Sequence, residues 1–125
     1  MVEDNSDRPM TMAGSQPKGL YTKIGNVVYW SCECDTSSIG SANGSIRCKG
    51  LPFTNLNDSR AEAGISVGYA SGLNITQYQG LTGNVGINAS HFWFNRWNET
   101  TGTSTMQHDN WTDDGKALVS GFYRV

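Results

Sequence analysis

Tyr21-Thr22-Lys23-Ile24-Gly25-Asn26-Val27-Val28, followed by Gly50-Leu51-Pro52-Phe53-Thr54, decides the fold class of this chain. Tyr21, Ile24, Val27, Val28 and Tyr29 are strand formers, and Gly25-Asn26 interrupts them with turn chemistry. The first stretch therefore predicts a hairpin, Leu20–Ile24 and Val27–Cys34 around Gly25-Asn26. Pro52 has no amide hydrogen, so a central strand should end before it. Ser45–Lys49 reads as the strand that this exit terminates.

Working outward, further strands are expected at Ala63–Ala70, with Ile65, Val67 and Tyr69 on one side, and at Leu73–Gln79 and Asn84–Asn88 around a turn at Gly80–Gly83. His91–Trp97 is the most aromatic strand, and Ala117–Val125 closes the chain. Asn98–Ser104 and Thr112–Lys116 read as polar turns. About eight short strands at this spacing predict an all-β fold, a β-sandwich or jelly roll of antiparallel strands. No helix longer than a turn and no internal repeat is expected. At 125 residues the chain is one domain, able to bury about two-thirds of its unfolded surface.

Residues 1–18 form a separate segment, polar, interrupted by Pro9 and Pro17, and without periodicity. They are expected to be an extended N-terminal arm on a domain of residues 19–125, with a reach on the order of 60 Å at about 3.3 Å per residue. Such an arm is fixed in place by a neighbour, and Arg8, Pro9, Met10 and Met12 are its candidate anchors. It carries no apolar core of a secretion signal. No window approaches the roughly 18 apolar residues of a membrane span. A net charge of -2 gives no electrostatic case for nucleic acid.

Candidate chemistry is sparse. There is no phosphate-cradling glycine loop, nucleophile elbow or metal-spaced histidine pair, so no enzymatic activity and no cofactor are expected. His91 and His108 stand apart in the sequence, and Asp113-Asp114-Gly115 lacks the spaced oxygen ligands of a calcium loop. Cys32 and Cys34 share one strand face, and Cys48 lies on the following strand. An odd number argues against a complete disulfide framework, and three buried thiols packing as small hydrophobes is the plain reading. One cross-strand disulfide or a zinc site are its alternatives, zinc usually wanting a fourth ligand. Six Asn-x-Ser/Thr sequons, at Asn43, Asn57, Asn74, Asn88, Asn98 and Asn110, read as chance in a chain rich in Asn, Ser and Thr. Large side chains on both faces of His91–Trp97 (Phe92 and Phe94 opposite Trp93 and Trp97) predict core on one face and a subunit interface on the other. Trp97, Trp111 and Tyr78 could stack on sugar rings.

The segments "YTKIGN" and "GLPFT", with a chain ending in "SGFYRV", resemble small all-β structural proteins of tailed bacteriophages, over roughly Gly19 to Val125. That family includes capsid decoration (cement) proteins and C-terminal domains of tail fibres. The resemblance implies a non-enzymatic virion protein. In the first role it is a homotrimer on the outer surface of the capsid, its arm clamping the major capsid protein or neighbouring copies of itself; the short arm and the lack of a fibrous shaft suit this role. In the second it is the receptor-binding tip of a tail fibre, with Trp97, His108 and Trp111 meeting a host-surface glycan or protein. A carbohydrate-binding module is a third reading, from outside viruses.

Overall fold

The computed structural model describes residues 1–14, 18–98 and 100–125. Pro17 of the expected arm and Glu99 of the expected Asn98–Ser104 turn lie outside them. Among the described residues the strands are β1 (Val2–Asp4), β2 (Thr11–Met12), β3 (Gly19–Ile24), β4 (Val27–Ser38), β5 (Ile46–Lys49), β6 (Ala63–Leu73), β7 (Leu81–Val85), β8 (His91–Arg96), β9 (Ser104–Thr105) and β10 (Trp111–Arg124). All pairings are antiparallel, in the order β1-β5-β8-β7-β6-β10-β4-β2, with β3 also on β4 and β9 on β8. The fold is the all-β class that the strand spacing predicts, wound into a nearly closed barrel or flattened sandwich.

The hairpin β3–β4 forms where expected. Gly25 has φ 59° while Asn26 stays out of the left-handed region, the two-residue turn that suits strand twist. β10 is longer than expected. Thr112–Lys116 is not a turn between strands: it is a bulge inside β10, where the register against β6 jumps between Trp111 and Lys116. A Cβ on Gly115 would run into the Trp111 indole, so the bulge needs glycine there. A second irregularity, opposite Gly68, turns Tyr69 outward while Ile65 stays in the core. Residues 74–79 form a loop and Leu81–Val85 a strand, so the expected strand at Leu73–Gln79 and turn at Gly80–Gly83 are displaced.

The main correction concerns residues 1–18. Among the described residues they are not an extended arm separate from the domain. β1 pairs with β5, β2 pairs with β4, and Met10 N donates to Val2 O at 2.9 Å. The two ends of the strand path are thus consecutive in sequence, and residues 1–14 close the barrel. Val2 and Met10 are core residues. We call this closure the seam, and the β3–β4–β10–β6 part of the sheet the wall.

Ring contacts run through the core from β4 across β8 to the start of β10. Trp30 stacks on Phe92 at 4.9 Å, Phe92 meets Phe94 edge-on at 5.2 Å, and Phe94 meets Trp111 at 5.2 Å. Trp111 Nε1 donates to Thr36 Oγ1 at 2.8 Å, which satisfies its one polar atom inside the barrel.

Candidate functional site

The expected anchors are used inside the chain. Asp4 is fully buried, and its carboxylate accepts from the amides of Ser6 (2.8 Å), Arg8 (3.0 Å) and Asn43 (2.8 Å) and from Arg8 Nε (2.6 Å). Burial pushes this carboxyl up, but the Asn43, Arg8 and Ser6 amides and the Arg8 guanidinium hold it well below the usual carboxylate range. Arg8 Nη2 also donates to Asn43 O at 2.9 Å. Met10 is buried, Met12 accepts a contact from Val2 N, and Pro9 is bridged to Glu3. Arg8, Met10 and Met12 therefore fasten the seam of their own barrel.

The aromatic strand is corrected in the same way. Phe92 and Phe94 are core, not subunit interface. Trp93 points outward, but His91 packs edge-on against it at 5.3 Å and the Arg47 guanidinium lies over its ring at 5.5 Å. Around it Glu3 and Arg47 pair at 2.9 Å, Arg47 and Asp7 at 2.6 Å, and Lys49 and Asp7 at 2.8 Å. The outer face of β1, β5 and β8 is thus an ionic layer over one indole.

Of the expected receptor contacts, Trp111 is only 1 % exposed and cannot touch a ligand. Its polar neighbours Asn110 and Thr112 disguise it in the sequence. His108 sits in a short 3-10 turn (His108–Asn110), where Nδ1 accepts from Gly44 N at 3.0 Å. That bond holds the loop before β5. Trp97 alone is open, 55 % exposed beyond the end of β8, with Tyr78 exposed on the β6–β7 loop. Trp97 N donates to Gly80 O at 2.9 Å, which brings the loop that carries Tyr78 towards that indole.

The Tyr21–Val28 and Gly50–Thr54 segments come together. Tyr21 meets Phe53 edge-on at 5.7 Å, Lys23 Nζ lies 6.0 Å above the same ring, and Phe53 N donates to the buried Tyr123 hydroxyl at 3.1 Å. Beside them is a cavity of about 570 Å³ between the β3–β4 hairpin and the seam. Cys32, Cys48, Met1, Met12, Trp30 and Leu51 help to line it. The thiols of Cys32, Cys34 and Cys48 all lie within 4.8 Å of one another, and none is in a disulfide.

Sequence reasoning did not single out the exposed apolar side chains of the wall. On the wall, strand alternation turns Val28, Trp30, Ala117, Val119 and Tyr123 inward. It turns Leu20, Ile24, Tyr29, Leu118 and Phe122 outward, with Tyr69 added by the Gly68 bulge, and these six are all exposed. Tyr29 and Phe122 are register partners whose rings lie 6.0 Å apart. The available signal was the alternation Val28-Tyr29-Trp30, which has large apolar groups on both faces. Charges sit at the border of this face, where Glu33 pairs with Lys18 at 2.6 Å and with Lys116 at 3.4 Å.

No family model matches this chain, and no curated protein matches it. Among solved structures it is similar to the Dettilon tailspike protein (gp208), with a TM-score of 0.83 and 17 % identity over 98 % of this chain and 22 % of that one. The fold is therefore one that also occurs as part of a tailspike, and the chain spans about a fifth of the protein it matches.

Proposed function

We propose that this chain is a non-enzymatic structural domain of a tailed-phage virion, built into the tail spike or fibre, where it packs through the wall against further copies of itself. The observation that carries this reading is the likeness to a tailspike over nearly the whole chain. The wall supports it independently. It carries six large exposed apolar side chains, with Ser31, Ser66 and Ser120 among them and Glu33 beside Leu118, and exposed apolar surface of that kind marks contacts with other protein surfaces. A predominantly apolar face fits an equally apolar partner, and copies of the same chain supply one under closed symmetry such as a trimer. A capsid-decorating role loses its mechanism here, because the residues meant to clamp the capsid close the seam instead. Trp97, with Tyr78 near it, is the remaining aromatic surface for a host glycan.

Separated heads and tails from purified virions test this by quantitative mass spectrometry. The expected result is enrichment in tails, at a small fraction of the major capsid protein's copy number. Enrichment in heads at a ratio comparable with the capsid protein would overturn the tail assignment and restore decoration.

A further inference from the structure

All three cysteines of the chain converge at the seam, although Cys32 and Cys34 on β4 and Cys48 on β5 belong to strands that do not pair. Cys34 Sγ lies 3.3 Å from Cys48 Sγ and 3.9 Å from Cys32 Sγ. A zinc ion with Zn–S bonds of about 2.3 Å needs sulfurs about 3.8 Å apart in a tetrahedron. Side-chain adjustments of under about 1 Å would bring the triangle to that spacing. Cys34 and Cys48 are buried, whereas Cys32 is half-buried and lines the 570 Å³ cavity. The site has walls on two sides and an entrance on the third.

We propose that Cys32, Cys34 and Cys48 form a three-thiolate site for a thiophilic d10 cation, zinc in the first instance, whose fourth position opens on the cavity. Thiolate donors select such cations over calcium or magnesium. On binding, three S–H bonds break, three Zn–S bonds form, and up to three protons pass to solvent; nothing is oxidised or reduced. A bound cation would tie β4 to β5 across the seam, where no backbone ladder joins them. A disulfide between any two of these thiols would leave the third without a role; three mutually close sulfurs suit a shared centre.

The test uses the full, reduced chain, titrated with Co²⁺ and then Zn²⁺. The expected result is one Co²⁺ per chain with a thiolate-to-cobalt charge-transfer band, displaced by one Zn²⁺, proton release on binding and a higher melting temperature with zinc. Cys32→Ser removes the half-buried ligand and should leave metal-free melting unchanged. It should raise the dissociation constant by at least the roughly 10–100-fold that losing an outer-shell partner costs. Cys48→Ala should abolish the band. Absence of a thiolate band in the wild type would overturn the proposal, as would unchanged affinity in folded Cys32→Ser. A Cys34–Cys48 disulfide peptide in protein prepared with zinc would do the same, by making the seam a covalent clip.

Discussion

The outer face of β1, β5 and β8 and the outer face of β3, β4, β10 and β6 belong to one continuous sheet and carry opposite chemistry. On the seam side Glu3, Asp7, Arg47 and Lys49 pair with each other over Trp93. On the wall side Leu20, Ile24, Tyr29, Leu118, Phe122 and Tyr69 stand open, with Glu33 and Arg124 the nearest charges on the same face. A sheet face finished with ion pairs has its charges matched within the chain, Glu3 and Arg47 largely covered and Asp7 open to solvent. An open apolar face is not finished within the chain. The proposed role gives the wall the docking of a further copy, and the seam is where the chain completes itself.

The largest effect is expected where the wall meets the core. Trp111→Ala removes a buried indole and its bond to Thr36, and should destabilise by about 4 kcal/mol, read as a drop in the urea midpoint at constant slope. Next comes the seam. Asp4→Ala leaves three amides and a guanidinium without their acceptor. It should cost about 3 kcal/mol, with hydrogen exchange quickening first in residues 1–14. If exchange quickened uniformly instead, the seam would not be a distinct unit.

Acid should find the same weakness. Asp4 has a folded value held below its unfolded one, so its contribution is fully present above the ordinary carboxylate range, near pH 4. That contribution declines as pH falls from there through the depressed folded value. Stability of the wild type should therefore drop below about pH 4 more steeply than that of Asp4→Asn, compared by urea unfolding at each pH. Equal slopes would mean that the carboxylate is not what fastens residues 1–14.

The smallest effect on stability should come from the wall's outer face. Tyr29→Thr with Phe122→Thr replaces two exposed rings with another strand former, and should change stability by less than about 1 kcal/mol. The same variant should lose association, measured by sedimentation as a shift to monomer. A large stability loss with unchanged association would reverse the assignment of the two faces.

The parts of this molecule that were legible in the sequence are local. Gly25-Asn26 between two runs of strand formers specifies the β3–β4 hairpin by turn chemistry alone, the strands of Ser45–Lys49, Ala63–Ala70 and His91–Trp97 are close to the observed ones, and Ala117–Val125 covers the second part of β10. The failures are long-range. Val2–Asp4 and Thr11–Met12 are too short to show a period, and Val2 pairs with Cys48 far along the chain, so a seam reads as an arm. Asp113-Asp114-Gly115 has the composition of a turn, yet it bulges within β10 to admit Trp111. Phe92 and Phe94 were correctly placed opposite Trp93, but which face was core depended on Arg47, a residue of another strand covering the indole. Tyr69 left its expected face because the irregularity opposite Gly68 changed the alternation.

Hydroxyl-radical footprinting of intact virions against the isolated chain addresses the wall most directly. Tyr29, Tyr69 and Phe122 should be strongly protected in the virion, while Trp93 and Asp7 on the seam side keep their reactivity. Equal labelling of the wall in both states, with protection moved to the ionic face or to residues 1–14, would contradict the account.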